Sequence, residues 1–205
     1  MRSGWRAVVL AIGIFAAGGS AAATFRVDTE RTNVAFAVSS LGIGSHQGRF
    51  DLTWGKITLD PEHRSGSIDF VVDVGSVDTG WDLRDGFLKS DLMFDAERYP
   101  SIRFRSTRFA YDGPRLVAVD GELTMHGVTR PVRFDVRRME CGADTGVGND
   151  GCAASVSGHI LRSAFGMSFG YPLVGDEVAL DFSIRAIRVP DDRGVSAPDQ
   201  AMRSP

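Results

Sequence analysis

The sequence carries none of the compact signatures that announce a metal centre, an acyl-transfer nucleophile or a redox pair. Its four histidines, His46, His63, His126 and His159, show no H-x-H, H-E-x-x-H or Cys/His spacing, so no metal ligand set and no cofactor is signalled. There is no G-x-S-x-G elbow. Only two cysteines occur, Cys141 and Cys152, and they do not stand as Cys-x-x-Cys at a helix start. No basic run occurs that would suit nucleic acid or an anionic membrane surface. Beyond the first residues no segment is apolar enough to cross a membrane, and there is no internal repeat or low-complexity tract. These absences turn attention away from catalysis. The remaining composition is that of a globular protein, with 43% hydrophobic and 24% charged residues in 205.

What is present begins with "MRSGWR", followed by the apolar "AVVLAIGIFAAGG" and the small-residue run "SAAAT". A basic start, an h-region interrupted by glycines and a small-residue site make an export signal over residues 1–23, with cleavage expected after Ala23. An anchor would need roughly 20 continuous apolar residues. Loss of Arg2 and Arg6 leaves 21 Lys and Arg against 26 Asp and Glu, a net charge of −5. The expected location is the periplasm, where a disulfide closes the turn-rich "GADTGVGNDG" between Cys141 and Cys152. Such a loop closure contributes about 3 kcal/mol in the chain-entropy view. One domain is expected over residues 24–189, followed by a polar, disordered tail over 190–205.

That domain reads as short alternating runs separated by Gly, Pro, Asp and Asn. "NVAFAV" aligns Val34, Phe36 and Val38. "GRFDLTWGKITLD" puts Phe50, Leu52 and Trp54 on one parity and resumes at Ile57 and Leu59. "SGSIDFVVDVGSVDT" is the cleanest run, with Ile68, Phe70, Val72 and Val74 on one face. Ile102 and Phe104 follow, then Val132, Phe134 and Val136, and finally Val178, Leu180, Phe182, Ile184 and Ala186. Period-2 alternation is the mark of antiparallel sheet with one apolar face, and about eight strands at hairpin spacing make a sandwich or a closed barrel. One segment departs from it: "GWDLRDGFLKSDLMFD" places Leu83, Phe87 and Leu88 at helical spacing, a short helix or two, with Asp82 at its start and Asp85 placed to pair with an arginine. A barrel of this size is either filled by its own side chains or holds one apolar ligand, and periodicity does not separate the two.

His126 stands in "GELTMHGVTRPVRFDV". Gly127 suits a positive φ and Pro131 suits the start of a strand, so the motif reads as a hairpin turn with the imidazole bonded to backbone.

The same stretch, "LTMHGVTRPV", resembles the L-T-[IM]-H-G-V-T-[KR]-P-V signature of YceI-like proteins, secreted bacterial lipid-binding domains. Other landmarks are similar and in order: Gly48 and Phe50; Arg84, Asp85, Leu88, Ser90, Phe94, Asp95, Tyr99 and Pro100; then Arg162, Phe165, Gly166, Met167, Val174, Gly175 and Asp176. The likeness spans roughly 25–189. Gly86 stands where the family commonly has histidine, "SSLG" replaces a histidine-containing stretch, and the cysteine loop is an addition.

The resemblance implies an all-β, lipocalin-like, eight-stranded antiparallel barrel around an apolar tunnel for a long-chain isoprenoid or quinone-type lipid, in a protein that is often a homodimer. On that footing Phe36, Phe70, Phe104, Phe134 and Phe182 are the expected tail contacts. Arg84 and Arg162 are the candidates for a polar head or for pairing with Asp85, a structural salt bridge being the plainer role for each. A binding protein or carrier is expected rather than an enzyme. The alternatives are a lipid isomerase or cyclase on the same barrel, and an envelope interaction module with a packed core.

Overall fold

The computed structural model describes residues 22–40, 44–146 and 150–190. The expected export segment lies outside the described residues apart from 22 and 23, as does the expected tail from 191 onward.

Eleven hydrogen-bonded segments build eight barrel strands. The first strand is β1 (Ala23–Val27) and β2 (Asn33–Ser40), parted by a 3-10 turn at Thr29–Arg31. The second is β3 (Gly44–Phe50) and β4 (Thr53–Asp60). The third is β5 (Ser65–Asp73) and the two-residue β6 (Val77–Asp78), parted by a 3-10 turn at Val74–Ser76. The rest are β7 (Ser101–Asp112), β8 (Arg115–Met125), β9 (Val128–Cys141), β10 (Gly151–Leu161) and β11 (Val174–Arg188). Each strand pairs antiparallel with the next in the chain, and β11 returns to the first strand. That seam runs from Val174 against Ser40 on β2 to Arg188 against Phe25 on β1. The result is a closed meander. One α-helix, α1 (Asp82–Lys89), crosses between β6 and β7. Among the described residues no helix is long and apolar enough to cross a membrane.

The two ends of the barrel differ. One, the floor, carries both chain termini of the barrel, joined where the Val189 amide donates to the Thr24 carbonyl at 2.8 Å. Phe25, Leu59, Cys152 and Ala186 pack together there. The other end, the mouth, carries α1, the β8–β9 turn and the connection from β10 to β11.

Alternation predicts the inward residues Ile102 and Phe104 on β7, Phe134 and Val136 on β9 and the run along β11. It fails at strand breaks and at bulges such as the one between Ser106 and Arg108. Phe25 and Val27 are buried on odd positions, whereas Val34 is buried on an even one. In the second strand Phe50 is buried, yet Leu52 and Trp54 are half exposed and Thr53 and Leu59 are buried instead. The expectation that Phe50, Leu52 and Trp54 share a face is therefore corrected. The chain uses an extra residue at the break between β3 and β4, which flips every later side chain to the opposite face. Pro131 also differs from expectation: β9 begins at Val128, and Pro131 sits inside it opposite Glu122. The next neighbour, β10, reaches β9 only from Asp135 onward, so no ladder bond is lost on that side.

The outer surface is laced with arginine–aspartate pairs. Asp120 on β8 bridges Arg108 on β7 at 2.8 Å and Arg133 on β9 at 2.9 Å. Asp69 on β5 pairs with Arg103 on β7. Hydrogen bonds from those guanidiniums hold both carboxyls below their ordinary value of 3.8. A carboxyl whose folded value is depressed stabilises the fold above its unfolded value, and the contribution is lost as pH falls through the folded one. Urea midpoints should therefore decline as pH falls below about 4. Asp120→Asn should flatten part of that decline; an unchanged slope would show that the pair does not contribute.

Candidate functional site

The inward faces of all eight strands enclose a cavity of about 370 Å³. Its wall is almost wholly aliphatic and aromatic. All five phenylalanines expected to face the interior line it, and four form a chain of edge-on contacts. Phe104 meets Phe134 at 5.1 Å between ring centroids, Phe134 meets Phe182 at 5.2 Å, and Phe182 meets Phe70 at 6.5 Å. Phe36 stands nearer the mouth against Phe50 at 5.5 Å. Gly158 on β10 lets Phe134 lie flat against the wall; a Cβ there would come within 2.5 Å of the ring. The rings thus coat the wall and leave the lumen open.

Polar groups gather at the mouth. Arg84 on α1 donates through Nε to the Thr79 hydroxyl at 2.8 Å and through a terminal nitrogen to the Thr79 carbonyl at 2.7 Å. Buried Asp85 accepts from the Thr79 amide at 2.9 Å and from its hydroxyl at 2.5 Å. The expected Arg84–Asp85 ion pair is thereby corrected: both side chains grip Thr79, and among the described residues no carboxylate lies within ion-pair distance of Arg84. The other terminal nitrogen of Arg84 stands 3.4 Å from Nδ1 of His46 on β3. His46, Gln47, Thr79 and Arg84 all border the cavity. Sequence reasoning did not single out the first three as ligand contacts. A signal for His46 exists in the parity of Phe50, which carried back through Gly48 puts position 46 on the inner face.

Arg162, at the end of β10, is only 4% exposed. Four of its five N–H groups are engaged by main-chain carbonyls: Gly175 at 2.8 Å, Met167 at 3.0 Å, Phe169 at 2.8 Å and Val174 at 3.0 Å. No salt bridge forms at Arg162 among the described residues, contrary to the ion pair expected. It ties down the loop over residues 166–173, one border of the mouth. Beside it, Asp176 accepts from the Ser163 amide and hydroxyl, which holds its carboxyl below the usual range.

His126 pins the same loop from the other side. It and Gly127 have φ of 51° and 72°, a two-residue hairpin turn of the left-handed kind. Its Nδ1 donates to the Phe165 carbonyl at 3.0 Å, and its ring meets Tyr99 edge-on at 5.1 Å. Turn chemistry and a backbone bond are thus what the imidazole supplies. His126→Ala should cost about 1 kcal/mol of stability, the usual worth of such a bond. It should leave uptake of an apolar ligand unchanged in a fluorescence titration.

At the opposite end Cys141 and Cys152 form a disulfide across directly paired positions of β9 and β10, and Cys152 borders the cavity floor. Among the described residues no three His, Cys, Asp or Glu side chains converge on one point.

An eight-stranded antiparallel meander closed around one deep apolar cavity, floored at one end and polar at the other, is a lipocalin-like barrel. This chain belongs to the YceI-like domain family, whose sequence profile matches residues 25–186. A UPF0312 protein of Vibrio campbellii is 30% identical over 188 residues, spanning 90% of this chain and 96% of that protein. Protein YceI of Escherichia coli is 28% identical over 178 residues, 85% of this chain and 92% of its own. Among solved structures, Burkholderia cenocepacia BcnA aligns with a TM-score of 0.68 at 24% identity, covering 78% of this chain and 98% of that one. A polyisoprenoid binding domain from Saccharophagus degradans aligns at 0.61 and 20% identity, covering 82% and 100%.

Proposed function

We propose that this protein is a periplasmic carrier or reservoir that holds an isoprenoid or quinone-type lipid in its barrel, after export directed by residues 1–23. The observation that carries this reading is the cavity: about 370 Å³ walled by apolar side chains and bordered by polar groups at one end. The tail lies along Phe36, Phe70, Phe104, Phe134 and Phe182. Each buried methylene contributes about 0.8 kcal/mol, enough for tight binding with few polar contacts. The head rests at the mouth beside Arg84, which makes no direct ion pair among the described residues, and beside His46. Arg162 serves the head only indirectly, by fixing the loop that borders it. The ligand class of the Saccharophagus domain supports an isoprenoid tail. Open volume favours a carrier over a packed interaction module. Among the described residues the lining holds no carboxylate, and its one histidine, His46, stands at the mouth beside Arg84, which supports binding over an isomerase or cyclase.

Solvent extraction of protein purified from the envelope, followed by mass spectrometry, tests the reading. A stoichiometric long-chain lipid is expected. An empty extract, together with no uptake of added polyprenol or ubiquinone, would overturn it.

A further inference from the structure

Outside the cavity, the mouth is bordered by large apolar side chains that face solvent. Trp81 and Leu83 at the start of α1 are 57% and 75% exposed, and Tyr171 and Leu173 on the loop held by Arg162 are 66% and 71% exposed. Phe169 on that loop is half exposed as well. These five make up half of the ten exposed large hydrophobics among the described residues, concentrated at one end of the barrel. The two segments touch: Phe87 of α1 packs on Phe169 at 5.1 Å between centroids, and Leu83 lies one helical turn before Phe87 on the same face. Phe87 and Phe169 also line the cavity, so the outer rim runs into the inner wall.

The charge on this rim is distinctive. From Ser163 to Gly175 there is no charged residue. On α1, Asp85 is turned onto Thr79, Arg84 bonds Thr79 and lies over the Trp81 ring at 5.8 Å, and Asp82 and Lys89 add one charge of each sign. The segment after the helix carries Asp91, Asp95, Glu97 and Arg98, so the charges at this end are mixed and no basic cluster forms. A surface for anionic lipid would carry clustered Lys and Arg, and a surface for an acidic or basic protein partner would carry one sign of charge. A rim of exposed Trp, Tyr, Phe and Leu without a cluster of either sign suits the boundary between head groups and acyl chains, where amphipathic aromatic rings settle.

We propose that this rim docks the barrel, mouth down, on a zwitterionic phospholipid surface, so that lipid passes between bilayer and cavity without crossing water. The inference rests on the carrier reading, and it explains why apolar side chains stay exposed where their burial would block the mouth. A tail drawn out through water would meet the full hydrophobic cost along its length.

The test is flotation of the purified protein with phosphatidylcholine vesicles, beside the variant Leu83→Asp/Leu173→Asp. Neither leucine lines the cavity. Wild type should float with the vesicles with little dependence on salt. The double variant should bind them about tenfold more weakly or worse, with unchanged melting and unchanged uptake of ubiquinone from detergent micelles. Leu173→Asp alone should fall between. Wild type that takes ubiquinone from micelles but does not float would overturn docking and leave the carrier reading standing. Failure of both assays would remove both. Binding confined to anionic vesicles and released by salt would also overturn the proposal. So would a dimer in size-exclusion chromatography that the double variant splits while flotation is unaffected, since the rim would then be an interface between copies.

Discussion

Replacing Ala154 by phenylalanine is expected to weaken lipid binding severely while leaving the barrel folded. Ala154 lies on β10 between Met139 of β9 and Ile184 of β11, and it borders the cavity. A phenyl ring added there extends into space that the ligand tail would occupy. Exclusion of about four methylenes from the wall removes about 3 kcal/mol, a weakening of roughly two-hundredfold. In a packed interior the same substitution would overfill the core and cost about 1–3 kcal/mol of stability. Here the apo protein should unfold within about 1 kcal/mol of wild type, because the ring meets open volume. Ligand-free urea unfolding and polyprenol titration on the same preparation separate the outcomes. Lost stability with unimpaired binding would place the ligand elsewhere.

The second large effect belongs to Arg162. Arg162→Met keeps the apolar stem of the side chain but withdraws the donors that hold four carbonyls. Main-chain carbonyls left without partners beside a buried site cost about 1–3 kcal/mol each when water does not reach them. The loop stands at the mouth, where water recovers part of this, so a loss of about 3–5 kcal/mol is expected. Arg162→Lys should recover little of it, since an ammonium presents three donors from one point and lacks the planar fork that spans these carbonyls. Denaturant unfolding supplies the magnitude. Limited proteolysis within 166–173 should show that the loop is released first. A loss below about 1 kcal/mol for the methionine variant would mean that the loop is held by other contacts.

Much of the barrel was legible wherever a strand keeps one parity, and less so where a bulge within β7, β8 or β9 switches it. On β11, Val178, Leu180, Phe182, Ile184 and Ala186 alternate and all border the cavity, as the sequence pattern predicts. The rule loses its grip at the interruptions after β1, β3 and β5, where the short breaks at 28–32, 51–52 and 74–76 carry no periodic signal. Each interruption changes the parity of the residues after it, and Leu52 and Trp54 were misplaced for that reason. The polar site was less legible still. Arg84 and Asp85 stand side by side with opposite charges, which suggests a pair, but neighbours on a helix point in different directions. They meet through Thr79, which the sequence does not mark. Arg162 is hidden by its partners: main-chain carbonyls exist at every residue, so no spacing reveals which four converge.

Closure of the barrel has a consequence for the order in which the chain acquires structure. Successive strands pair locally, each able to form while its neighbours are still being made. The seam is different, since Asn33 on β2 meets Ser183 on β11 across 150 residues. Until that last strand arrives, the nascent sheet has two unsatisfied edges and one bare face of Phe, Val and Ile. Long-range pairing of this kind is slow, and open sheet edges template association with other chains. The hazardous species for this protein is the seven-stranded sheet awaiting its eighth, and a chaperone that covers edge strands should raise its yield more than one that binds helices.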